Sequence, residues 1–160
     1  MRSLTRYKYK GEGNSLLEWT RYAKPLKVLR NVIVIELAKY LPLGLKNKFY
    51  RAIGIKMGKN VSVAYKVTFD ILFRELVEIG DNTIIGYGCT LLAHEFLIKE
   101  VRIGKVTIGK NVMVGANSTI LAGVSIGNNA TVSAMSLVNK NVPKNAFAEG
   151  VPIKLLKKSL

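Results

Sequence analysis

The sequence predicts an all-β solenoid: a parallel β-helix of about four coils, with a basic, mostly helical segment before it and a short basic tail after it. Three observations carry this. In "IGKNVMVGANSTILAGVSIGNNATV", residues 108–132, branched aliphatic residues fall at Ile108, Val114, Ile120, Ile126 and Val132, always six apart. A helix would repeat at three and four, a strand at two. Glycine follows the aliphatic at Gly80, Gly86, Gly109, Gly115 and Gly127, and compact residues such as Thr83, Cys89, Ser118, Ala130 and Ser136 stand four positions after it. Finally, the net charge of +15 lies outside the repeat: residues 1–60 carry 14 Lys/Arg against 3 acids, residues 61–150 carry 8 against 7, and residues 151–160 add three Lys.

A period of six suits a triangular coil whose every side is a short strand and a turn. One aliphatic side chain per side points to a narrow axis, and glycine or asparagine takes the unusual backbone angles at the corners. The count runs through Val61, Val67, Phe73, Ile79, Ile85 and Leu91, then through Ile108, Val114, Ile120, Ile126, Val132 and Val138, giving twelve hexads. Stacked at about 4.8 Å per coil, they make a short prism. The two runs are out of phase, because Leu91 and Ile108 are seventeen residues apart where eighteen would continue the repeat. The segment "LAHEFLIKEVRIGKV" between them is expected to loop out near 92–107; a continued coil using Leu97 and Ile103 is the alternative. Three parts follow: residues 1–55, the repeat over 56–145, and a tail over 146–160.

The front end reads as helices. Ser15 and Glu18 stand at capping-box spacing, predicting a short helix that reaches Lys24 before Pro25. A second helix is expected over about 26–41 and a third over about 45–53. They should cover the open edge of the first coil. The second contains "VIVIELA", apolar over much of its circumference. Packing against the prism or a neighbouring subunit is the plain reading. The sharper one sets this helix and its basic flanks on an anionic membrane surface, as a peripheral contact.

Composition limits the chemistry. One cysteine, Cys89, excludes a disulfide framework, and one histidine, His94, leaves too few ligands for a three-histidine zinc site, so no metal is required. No apolar leader opens the chain, and "VIVIELAKYLPLGL" is broken by Glu36, Lys39 and Pro42, so a cytoplasmic protein is expected. Aromatic residues are not interleaved with the basic ones in a binding pattern, so no nucleic acid is expected.

The runs "VEIGDNTIIGYGCTLL" and "VTIGKNVMVGANSTILAGVSIGNNATVSAMSLVNKNVPKNAFAEGVPIK" resemble the hexapeptide-repeat acetyltransferases, nearest the galactoside and maltose O-acetyltransferase branch, over about residues 54–158. The resemblance implies a left-handed coil, acetyl-CoA as co-substrate, a homotrimer with the cofactor between prisms, and a small-molecule acceptor hydroxyl on a sugar or sugar-like compound. His94 stands where the family's general base stands, at the start of the interruption. A neutral imidazole there accepts the acceptor's proton during attack on the thioester. The resemblance assigns Ala116 to the thioester arm, Ala134 to the pantetheine, Asn139 and Lys140 to the phosphate end, and Lys154 and Lys157 to the nucleotide. Asp70 and Glu95 are nearby acids placed to orient the imidazole or bind acceptor; the plainer reading of each is a satisfied turn or a solvent-exposed carboxylate. Cys89 reads as a buried packing residue. This chain departs from the branch at Lys66, where the galactoside enzymes place an acceptor-holding asparagine, at Met113 in place of a tryptophan, and in "GVPIK" for "GNPAK". A β-helix need not be an enzyme. The rival reading is a scaffold that binds an anionic partner through its basic N-terminus.

Overall fold

The computed structural model describes residues 1–157, and of Lys157 the backbone alone. Strand β1 (Thr5–Lys8) is followed by a 3-10 segment over Ser15–Arg21 and by helices α1 (Pro25–Ala38) and α2 (Leu43–Ala52). A first coil follows: β2 (Lys56–Met57), β3 (Ser62–Val63) and β4 (Thr68–Phe69). The second is β5 (Val77–Ile79), β6 (Ile84–Ile85) and β7 (Thr90–Leu91). A hairpin of β8 (His94–Phe96) and β9 (Glu100–Ile103) then interrupts. The third coil is β10 (Val106–Ile108), β11 (Met113–Val114) and β12 (Thr119–Ile120), and the fourth is β13 (Ser125–Ile126), β14 (Thr131–Val132) and β15 (Leu137–Val138). Strands β16 (Ala146–Glu149) and β17 (Lys154–Lys157) close the chain.

Successive strands fall in three different parallel sheets in rotation. Face one is β2, β5, β10 and β13; face two is β3, β6, β11, β14 and β16; face three is β4, β7, β12 and β15. Axial residues therefore stack in register, Val63 on Ile85, Val114 and Val132, and Phe69 on Leu91, Ile120 and Val138. All eight are essentially without solvent contact. Strand β16 pairs in parallel with β14, so residues 146–149 begin a fifth coil rather than a tail, and β17 folds back antiparallel on β16.

The six-residue period has a backbone cause. Three positions after the axial residues of faces one and two, and after Ile120 on face three, the chain takes positive φ, at Asn60, Asn82, Asn111, Asn117, Asn129, Asn145, Gly88 and Gly123, and also at Lys66 and Met135. Asn and Gly tolerate this left-handed region best. At the edge between faces one and two the asparagines form a ladder: Asn82 donates to Asn111 (2.9 Å), Asn111 to Asn129 (3.2 Å) and Asn129 to Asn145 (3.0 Å). Glycine beside the axial residue answers to stacking. A Cβ on Gly80 would stand 2.7 Å from the backbone carbonyl group of Gly109 in the coil above.

The register of the first coil differs from the expected one. Its axial residues are Val63 and Phe69, whereas Val61 and Val67 fill the slot four positions after an axial residue, where Thr83 and Cys89 stand one coil later, and Phe73 lies in the turn after Phe69. Phe69 and Ile79 are ten residues apart because a turn at Asp70–Phe73 inserts four. An insertion of four moves the compact slot into apparent phase with the axis, and in this coil both positions carry apolar side chains.

Between Leu91 and Val106 the chain leaves the stack. Strands β5 and β10, and β7 and β12, pair directly across the gap, so the hairpin is extruded and Leu97 and Ile103 belong to it rather than to a coil. The N-terminus straps it down. Strand β1 pairs antiparallel with β9, and Ser15, fully buried, donates to Leu97 O (2.6 Å). The capping-box reading of Ser15 therefore gives way: Asn14 accepts from Leu16 N, and the 3-10 segment ends at Arg21.

Helix α2 lies over the first coil. Asn47 donates to Val61 O (2.7 Å), Lys46 to Ala64 O (3.3 Å) and Arg51 to Gly58 O (2.7 Å), satisfying carbonyls that have no earlier coil to pair with. Helix α1 packs beside it and Asn31 donates to Ile71 O (2.7 Å).

Candidate active site

The turn that inserts four residues after Phe69 also builds the most connected carboxylate among the described residues. Asp70 Oδ1 accepts from the N–H groups of Leu72 (2.9 Å) and Phe73 (2.7 Å); Oδ2 accepts from Ala93 N (2.7 Å) and lies 2.5 Å from His94 Nδ1. Its side chain has no solvent exposure. Burial, the largest influence on this group, works to raise its pKa. The hydrogen bond and charge of His94, with the Phe73 and Ala93 N–H groups, outweigh it and hold the carboxyl below the usual value. An ionised carboxylate only accepts, so Nδ1 carries the proton and the lone pair of neutral His94 sits on Nε2.

The ring is fixed on both sides. Phe73 packs edge-on at 5.6 Å between centroids and Phe96 at 5.1 Å, leaving the His94 side chain 15% exposed. Phe96 shares the strand face of His94, two residues on, while Glu95 points the other way. Glu95 is bound to Arg2 and lies 3.7 Å from Arg102. Neither acid fits an acceptor-binding role. Asp70 has every oxygen occupied and no exposure, and Glu95 is on the far side of β8 with its charge neutralised.

The other expected residues divide between two edges of the prism. Ala116 and Ala134 lie in the turns joining face two to face three, half-buried and exposed respectively. His94, Asn139 and Lys140 leave the opposite side of face three, where the chain turns toward face one. His94 belongs to the second coil and Lys140 to the fourth, about 10 Å higher at the usual strand spacing. A groove over the last coil joins Lys140 to Lys154, with Ser133, Gly150 and Pro152. Its wall is the segment after β16, which is held across β15 by Leu137 N to Gly150 O (3.0 Å) and Ile153 N to Leu137 O (3.1 Å). Asn139 Oδ1 is buried and has no hydrogen-bond partner among the described residues. The side chain of Lys157 lies outside the described residues. One chain thus unites the basic groups, but keeps the imidazole and the alanine pair on different edges.

Cys89 is buried, its thiol donates to Gly115 O (3.1 Å), and burial pushes its pKa up, which makes it a packing residue. Lys66 sits at positive φ with its ammonium 5.5 Å from the Tyr87 ring, on the alanine edge.

Comparison with known proteins follows the same lines. The family model for the hexapeptide repeat of succinyl-transferase matches residues 105–137. YvoF of Bacillus subtilis (strain 168), provisionally named an acetyltransferase, is 50% identical over 158 residues, covering 98% of this chain and 91% of its own. The chain belongs to the hexapeptide-repeat acetyltransferases. The galactoside O-acetyltransferase of Escherichia coli (strain K12) is 36% identical over 110 residues, 64% of this chain and 53% of its own. A hexapeptide-repeat acetyltransferase of Vibrio cholerae O1 biovar eltor, solved with acetyl-CoA, superposes with a TM-score of 0.68 at 17% identity, covering 84% of this chain and 88% of its own. The fold of this hexapeptide-repeat acetyltransferase is thereby the left-handed parallel β-helix, and the protein is an enzyme of acyl transfer.

Within the candidate site, the clamp on the ring and the exact place of Asp70 escape a reading of spacing. Phe73 and Phe96 clamp the imidazole, but each looks like a core residue in sequence. Asp70 precedes His94 by 24 residues, which becomes adjacency only once a coil is known to carry about that length with its inserted turn.

Proposed function

We propose that this acetyltransferase moves the acetyl group of acetyl-CoA to a hydroxyl of a sugar or sugar-like acceptor, with His94 as general base. One observation carries the reading: Asp70 holds Nδ1 of His94 and so leaves Nε2 as the acceptor nitrogen at the prism edge. Acetyl-CoA supplies an activated carbonyl. His94 Nε2 takes the hydroxyl proton as the acceptor oxygen bonds to that carbonyl carbon, and the imidazolium returns the proton to sulfur as the C–S bond breaks. Ester and free thiol result, with no proton gained or lost. The Asp70 carboxylate stabilises the imidazolium between the two transfers.

Lys140 and Lys154, brought into one groove, suit the phosphates of the cofactor. Asp70 acts as a positioning residue. Because the alanine edge and the His94 edge of one chain are separated by face three, we infer a homotrimer in which the His94 edge of each prism meets the alanine edge of the next. The galactoside branch of the family supports a sugar acceptor. The test is thiol release from acetyl-CoA across a panel of sugars. Transfer is expected to fall by roughly 10²–10⁴ in His94→Ala while CoA still binds. Wild-type turnover in that variant would remove His94 from the reaction.

A further inference from the structure

Helix α1 is apolar on two opposite sides. Val28, Asn31, Ile35 and Ala38 face inward and are buried. Leu26, Leu29, Ile33 and Leu37, spaced three, four and four apart, share the outer side, with exposures of 80%, 56%, 49% and 64%. Single exposed aliphatics are ordinary, but a surface helix normally turns a polar face to water, and a continuous outer stripe of this kind marks a contact.

The charges around the stripe say which contact. Lys24, Lys27 and Arg30 line the same surface as Leu26, Leu29 and Ile33. The nearest acids are engaged, Glu36 by Lys39 (2.6 Å) and Glu75 by Arg74 (2.8 Å) and Lys27 (3.3 Å). Residues 1–60 as a whole carry 14 Lys/Arg against 3 Asp/Glu, a surplus of 11. Two copies of such a surface would oppose like charges. Aliphatic side chains rimmed by cations are instead complementary to an anionic bilayer, where the stripe enters the headgroup region and the cations meet lipid phosphates.

We propose that the outer face of α1 docks this enzyme on anionic membranes. Helices α1 and α2 lie against strands of the first coil, so prisms set side by side in the proposed trimer present three such helices toward one side, and three weak attachments act together. The docking rests on α1 and its charges, and stands apart from the assignment of the catalytic base.

The experiment is flotation of the full chain with phosphatidylglycerol–phosphatidylcholine vesicles and with pure phosphatidylcholine vesicles at physiological salt. A thermal melt and light scattering accompany each sample. The protein is expected to float with the anionic vesicles only. The double variant Leu29→Ser/Ile33→Ser keeps every charge, and should float at least tenfold less with its melting point and mass unchanged. Failure of the wild-type protein to float overturns the proposal. So does a double variant that floats like wild type, which means binding by charge alone, or one whose oligomeric mass falls, which makes the stripe a contact between copies. Loss of thiol release without loss of flotation bears on the catalytic reading alone.

Discussion

Asp70 and His94 meet because Phe69 and Leu91 are register partners on face three: the residue leaving the first coil lies under the segment leaving the second. The carboxylate is thus held by the same turn that restarts the repeat. Asp70→Asn keeps the shape but offers Nδ1 an amide, which can donate to it as well as accept. The wrong tautomer then puts the proton on Nε2. Turnover should fall by roughly 10–10³ with KM for acetyl-CoA unchanged, less than for His94→Ala. Steady-state thiol release decides it. Equal turnover in Asp70→Asn and wild type would show that the pair does not set the tautomer.

The same pair makes a prediction for folding in acid. The folded-state pKa of Asp70 lies below its ordinary value of 3.8, so between the two values the unfolded chain binds more protons. The stabilisation is complete above about 3.8 and is lost as pH falls through the folded value. Asp70→Asn should be less stable than wild type at neutral pH by about 1–3 kcal/mol, from its altered buried hydrogen bonds. The gap should narrow below the ordinary value, where wild type loses its ionised carboxylate. Urea midpoints of the two proteins across acid pH test the sign.

Corner geometry can be read through Met135, at φ +59° where the ladder edges place Asn or Gly. A side chain without a local hydrogen bond costs about 1 kcal/mol there. Met135→Asn should therefore raise the melting temperature, by a stability gain of about 0.5–1 kcal/mol. The converse change, Asn111→Ala, places Ala at φ +54° and breaks both ladder bonds. It should cost about 1–2 kcal/mol. Calorimetry on both gives opposite signs if the turn backbone controls the coil.

The later coils were legible because from Ile79 to Val138 axial residues keep strict sixes outside the hairpin, and Asn or Gly marks most turns. The first coil was not, since Val61 and Val67 are as apolar as the axial Val63 and Phe69, and period alone cannot rank two buried slots. Strand β1 was invisible for another reason. "TRYK" has four exposed side chains, and it pairs with β9, contributed by a hairpin ninety-odd residues away. Of the site, His94 was visible through its place at the interruption, but the clamp of Phe73 and Phe96 and the occupancy of Asp70 and Glu95 depend on which coil faces which. The separation of the imidazole from Ala116 and Ala134 follows from face order.

Lys140 and Lys154 reach the groove from different elements, a turn and an antiparallel strand, and both are exposed. Their contribution to anion binding should be electrostatic and screened by salt. Lys140→Glu/Lys154→Glu is expected to raise KM for acetyl-CoA about tenfold or more at low salt, with kcat nearly unchanged and the difference shrinking as salt rises. A kcat loss with unaltered KM would place the cofactor's phosphates elsewhere.

His94 and the alanine pair lie on separate edges of one prism, which mixing of variants can exploit. His94→Ala inactivates the base edge, and Ala134→Trp obstructs the cofactor edge. Each homotrimer should be inactive. If a site takes its imidazole from one protomer and its cofactor edge from the next, a mixed trimer has one junction at which both contributing edges are intact. Random reassembly of equal amounts makes three quarters of the trimers mixed, so about one quarter of all sites should recover. Both variants are unfolded together, refolded and assayed for thiol release against separately refolded controls. Were base and cofactor edge drawn from one chain, every protomer would carry a lesion in its own site and mixing would restore nothing.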